Sequence, residues 1–173
     1  MAANVFVIGT EKRSAVTKLL LSVHVLAAIL VVGPIAVAAS LFPRHARQAA
    51  SGDGGPGERD AAVAAALHRI CRGYAVVGVA VPVFGIATGA RLGVLTDAWL
   101  LVSLVLTALA AAVLVLAIVP GQRRMLDPDG GPSGPEETRS AAARLAMLTG
   151  VFNILWAVVT VLMIVRPGST TGA

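Results

Sequence analysis

The chain has 173 residues, 57% of them hydrophobic and only 13% charged, with a mean hydropathy of +0.84. That profile excludes an ordinary soluble domain and a disordered chain. The net charge of +5 comes from basic residues flanking the apolar stretches. It reads as membrane topology and attraction to anionic lipid headgroups, and no nucleic-acid partner is expected.

Four uncharged apolar stretches dominate the chain, 19–43, 73–90, 98–122 and 145–165, of 25, 18, 25 and 21 residues. About 20 apolar residues carry a helix across the ~30 Å hydrocarbon core. The expected fold is therefore an all-α, four-transmembrane-helix bundle, an integral membrane protein of one domain over 1–173. Its spans are predicted at about 17–41, 73–90, 98–120 and 145–165.

In chain order, residues 1–17 form a short polar arm. The first apolar run resembles a signal sequence in its flanking Lys12, Arg13 and Lys18 and in Ala36-Val37-Ala38. It is far longer than the ~7–15 residues of a signal core, so it reads as a retained helix. A Gly/Pro/Asp-rich segment, about 48–59, is expected to be a flexible linker. Asp60 is placed to cap the helix that comes after it. Val63, Ala66, Leu67 and Ile70 share one stripe, which predicts a juxtamembrane extension running into the second span. A tight connection then leads to Asp97, placed to cap the third span. The segment 127–135 is the second predicted flexible linker, and Ser133 with Glu136 has the spacing of a capping box. The fourth span ends at Arg166-Pro167.

Orientation follows from Lys and Arg. The connections 44–72 and 120–144 carry nine of them, against five in the arm, the 91–97 turn and the tail. Positive charge stays cytoplasmic, so both long connections are expected inside and both termini outside a bacterial plasma (inner) membrane. Arg outnumbers Lys twelve to two, a usage that fits a GC-rich genome.

Polar residues within spans are costly and therefore informative. Helix-rise arithmetic puts His24, Thr88, Ser103 and Thr160 at similar depth in the outer half, with Arg91 a turn higher and Asn153 near the midplane. The hydroxyls can bond their own helix carbonyls. Asn153 suits an interhelical hydrogen bond, and Trp99 and Trp156 suit interface or packing roles. His24 has three readings: a packing residue held by one hydrogen bond, a haem or metal ligand, or a proton relay. His45 and His68, among arginines, read as solvated or lipid-facing. The single cysteine, Cys71, reads as a small packing residue. Gly85-x-x-x-Gly89 permits close helix approach or leaves a gap beside a cofactor. No acidic residue lies within a span, which argues against ion-coupled transport. No nucleotide loop, nucleophile elbow or paired carboxylates are present.

The segment Leu19-Leu-Leu-Ser-Val-His-Val-Leu-Ala-Ala28 resembles the opening of a family of bacterial predicted integral membrane proteins, domain of unknown function 2269. Asp97-Ala-Trp-Leu-Leu-Val-Ser-Leu104, Gln122-Arg-Arg-Met125 and Leu162-Met-Ile-Val-Arg-Pro167 resemble its third-span opening, third-span exit and ending. A wider likeness runs to four-helix bacterial protoporphyrinogen oxidases and copper-resistance D-type proteins, which also open on a first-helix histidine. The chain has Arg166 where the oxidases end in Lys, and Val31-Val32-Gly33 where they carry Trp-x-Gly. The wider likeness implies haem or porphyrin near His24. Met163 is the side chain at comparable depth that could be a second axial ligand.

The leading expectation is a non-enzymatic accessory or interaction protein, packed through Gly85, Gly89 and Asn153, with the bilayer and either a membrane-protein partner or further copies of itself around it. The alternative is a haem- or porphyrin-binding redox protein using His24. Small-molecule or metal transport ranks third.

Overall fold

The computed structural model describes residues 2–52 and 55–168, with side chains from residue 14 onward. It is all-helical: α1 (Ala2–Ser51), α2 (Gly55–Val77), α3 (Ala80–Leu92), α4 (Ala98–Ala112), a π-helical segment (Val113–Ile118), α5 (Val119–Met125) and α6 (Pro135–Val165). These make four rods long and apolar enough to cross a membrane: Ser14–Ser51, Gly55–Leu92, Ala98–Met125 and Pro135–Val165. The side chains of Lys12 and Arg13, the residues Asp53 and Gly54, and the tail beyond Gly168 lie outside the described part of the chain.

The helices outrun the expected boundaries. α1 passes through Pro34 and Pro43 and ends at Ser51, and α2 begins at Gly55. The expected linker over 48–59 is thus mostly helix. Proline in a helix removes one N–H and frees the carbonyl four residues back. At Pro43 the freed carbonyl is that of Ala39, and Thr149 Oγ1 donates to it from α6 at 3.4 Å. The second rod breaks where Pro82 would have bonded Gly78. The Gly78 carbonyl accepts from Val81 N–H at 3.1 Å instead, and α2 hands over to α3 through that tight turn. Pro120 comes directly after the π segment, where Val119 N–H reaches back five residues to the Leu114 carbonyl.

Several local expectations are corrected. Asp60 caps nothing; it lies inside α2, and its Oδ1 is 2.7 Å from His45 Nδ1 on α1. The cap of α6 is Gly134 rather than Ser133, and Ser133 N–H donates to Glu137 Oε2 at 2.9 Å, one residue beyond the predicted box. Asp97 is the N-cap of α4, but its carboxylate accepts from Trp99 Nε1 at 3.0 Å instead of from the backbone. His45 and His68 are not free on the surface. His68 Nδ1 sits 3.2 Å from Gln122 Oε1, and Gln122 Nε2 donates to Cys71 Sγ at 3.5 Å, with Gln122 and Cys71 fully buried.

α1 is the hub, packing on α2 and α3 along one side and on α6 along another; α6 in turn packs on α4. α3 and α4 touch little beyond the turn that joins them. The main core lies toward the end of the bundle that carries the two long connections. Ile35, Ala38, Ala39, Phe42, Ala64, Leu67, Cys71, Leu114, Ile118, Leu145 and Phe152 pack there. A second, small cluster of Val94, Trp99 and Leu100 closes the opposite end, at the α3–α4 turn.

Candidate functional site

Between the two clusters the bundle is hollow. A cavity of about 980 Å³ lies among α1, α3, α4 and α6. Its size is at the top of the ~300–1,000 Å³ range of small-molecule sites. Its wall is mainly apolar, with His24, Thr88, Thr107, Asn153, Trp156, Thr160 and Arg166 as the polar or amphipathic members. Its burial pattern has a direction. The residues contributed by α4 are buried or half-buried, as are those of α3 apart from Leu92, whereas Leu21, Val25 and Ile29 of α1 and Ala157, Thr160 and Ile164 of α6 are exposed. The cavity therefore opens sideways, between α1 and α6.

His24 is 7% exposed and its Nδ1 is 2.9 Å from the Val81 carbonyl on α3. A carbonyl only accepts, so Nδ1–H is the donor in this contact. The ring fits because residue 85 is glycine. A Cβ there would stand 2.9 Å from His24 Cε1 and 3.3 Å from Nδ1. Gly89 is a second notch, filled by the side chains of Leu100 and Leu95 at 2.9 and 3.2 Å from the missing Cβ. The glycine pair thus admits side chains from α1 and from the α3–α4 region rather than backbone-to-backbone approach.

Of the expected polar layer, His24, Thr88, Asn153 and Thr160 line this cavity, together with Gly85, Gly89 and Met163, the side chain named as the candidate second haem ligand. Ser103 does not; it is fully buried behind the wall. The hydroxyls do not pool into a network. Thr88, Ser103, Thr107 and Thr160 each donate to the carbonyl four residues back, at 2.7–2.8 Å. Asn153 Nδ2 donates to Ser40 Oγ at 3.4 Å and ties α6 to α1. Met163 packs against the small Trp99 cluster.

Two features of the site leave no signal in the residue pattern. Trp156 Nε1 is the one buried side-chain polar atom without a partner among the described residues. Its ring lies edge-on to Phe152 at 6.3 Å. Arg166, which ends α6, adopts a left-handed conformation with φ 46°. An L-residue there costs about 1–2 kcal/mol relative to the right-handed region. The turn folds the arginine back: Nε donates to the Met163 carbonyl at 3.3 Å, and the guanidinium carbon lies 5.7 Å from the Trp99 ring centroid. Among the described residues Arg166 has no carboxylate within 4 Å.

A smaller cleft of about 250 Å³ lies at the opposite end, under Asp127, Asp129 and Ser133. The described residues contain no group of three or more metal-ligating side chains there or elsewhere.

No family model, curated protein or solved structure matches the chain.

Proposed function

We propose that this chain is a multi-pass integral membrane protein that binds, rather than turns over, an extended apolar molecule inside its bundle. The carrying observation is the cavity of about 980 Å³, framed by packed clusters at both ends and open to one side. Membrane residence is supported by four long rods whose outward faces carry Leu19, Leu26, Leu30, Val76, Leu116 and Ile164, all more than half exposed. A water-soluble monomer does not tolerate that much apolar surface. By the Lys and Arg distribution, the long connections face the cytoplasm of a bacterial plasma membrane and the termini face outward. The accessory role supposed from the sequence becomes a binding role in this reading. Native mass spectrometry of detergent-purified protein tests it: a co-purifying small molecule at near one-to-one stoichiometry is the expected result. Protein mass alone, after mild purification from its own membrane, contradicts it.

A second reading is favoured by the hydrogen bond of His24. With Nδ1–H given to a backbone carbonyl, Nε2 is the ring nitrogen that would be left to ligate a haem iron. The residues fit such a group on one side: His24 would hold its iron, and the adjoining space is large enough for a tetrapyrrole. Bound haem would supply one-electron chemistry. Met163, engaged with the Trp99 cluster, is the weak second ligand. A visible spectrum of protein expressed with haem precursor tests this reading. It requires a Soret band that moves on dithionite reduction and is lost in His24→Ala; a featureless spectrum at stoichiometric sensitivity eliminates it.

A further inference from the structure

The chemistry of the occupant rests on the binding reading, and three observations constrain it. The mouth lies between α1 and α6 and is lined by exposed aliphatic side chains, so an occupant arrives from the apolar phase beside the bundle. The cavity is long. From Arg166 to Asn153 it runs along 13 residues of α6, about 20 Å at 1.5 Å per residue. At one end of it stands Arg166, turned back by its left-handed φ, near the Trp99 ring and with no carboxylate within 4 Å among the described residues, the Asp97 carboxylate being bonded to Trp99 Nε1. A guanidinium supplies donors in a fixed fork that matches carboxylate and phosphate oxygens.

We propose that the cavity takes a membrane-soluble, chain-bearing amphiphile with an anionic head, which enters sideways between α1 and α6. Its head pairs with Arg166 and its chain runs past His24 toward Asn153. The mouth is lined by aliphatic groups, so the chain slides through it without desolvating a charge. The head stays at the end of the bundle, where Arg166 is half-buried and Pro167 is exposed.

The test uses the full chain in detergent and the fluorescent fatty acid cis-parinaric acid, with its methyl ester as the neutral control. Trp99 and Trp156 line the cavity, so energy transfer from tryptophan to the polyene separates bound probe from probe in micelles. The acid is expected to bind at least tenfold more tightly than the ester. Arg166→Gln should remove that preference, bringing the acid down to the affinity of the ester, whereas Arg166→Lys should keep most of it. Palmitate and lysophosphatidate should displace the probe at concentrations at least tenfold lower than monopalmitoylglycerol. Ala157→Phe, placed in the mouth, should weaken acid and ester together. Equal binding of acid and ester, insensitive to Arg166→Gln, overturns the anionic head while the ligand-binding reading stands. Absence of transfer from either probe, in protein that still melts cooperatively, overturns both.

Discussion

At the scale of single residues, the site turns on a contact between an imidazole and an absent side chain. His24 and Gly85 form one unit: the ring occupies the space a Cβ at 85 would take, and Nδ1–H is held by the Val81 carbonyl one turn earlier. Gly85→Ala should therefore destabilise the protein by about 1–3 kcal/mol, the cost of overpacking a fitted site. In a His24→Ala background the same change should be nearly free, because the clashing ring is gone. A double-mutant cycle from thermal melts in detergent checks this; additive effects would mean that the two residues do not share the space. Trp156 tests a different property. Its indole N–H is buried without an acceptor among the described residues, and such a group is a liability until something bonds it. Trp156→Phe should leave the melting temperature of ligand-free protein unchanged or slightly higher, and should lower it in ligand-loaded protein if the occupant accepts that proton. The importance of His24 could be read from the chain because a histidine inside an apolar run is rare. Its partner could not, since a backbone carbonyl 57 residues away leaves no mark in a residue pattern.

At the scale of elements, prolines and glycines decide where rods bend, join and end. Pro82 explains the α2–α3 turn, and Pro43 explains why a threonine on α6 meets a carbonyl on α1. Hydropathy finds the four rods because their outward faces are apolar over most of their length, a property of composition. It misplaces their ends because helix continues through residues that only disfavour it. Gly55, Pro56 and Gly57 read as linker, yet they form the first turn of α2, where Pro lacks only an N–H that has no partner there. The capping assignments at Asp60 and Ser133 fail for a related reason. A carboxylate or hydroxyl near a helix start also has tertiary partners to choose from, and Asp60 takes His45. Two glycines should respond in opposite ways. Gly93 ends α3 at φ +72°, so Gly93→Ala should cost about 1 kcal/mol. Gly73 lies inside α2 with nothing within 4 Å of its missing Cβ, so Gly73→Ala should stabilise by about 0.5–1 kcal/mol. Melts of both variants alongside the parent settle the signs.

At the scale of the whole molecule, four antiparallel rods put the α3–α4 turn, the start of α1 and the end of α6 at one end and both long connections at the other. The proposed topology, which rests on the Lys and Arg distribution, puts the long connections in the cytoplasm. With Cys71 replaced by Ser, a cysteine introduced at Thr96 should react with an impermeant maleimide on intact cells, and one at Asp129 only after permeabilisation. The reverse pattern would invert the topology. The hollow itself was not readable from the sequence. It lies among α1, α3, α4 and α6, of which α3 and α4 touch little, and how helices pack is not written in the order of apolar residues. The bundle is densely packed at one end, hollow between that core and the small Trp99 cluster at the other, and its wall opens along one seam. In the bilayer setting proposed above, those two ends would sit in different leaflets. Filling or emptying the hollow would then change the protein's cross-section in one monolayer while the other kept its area. The work of occupancy would include the tension of a single leaflet, and membrane curvature would enter the affinity of the proposed site.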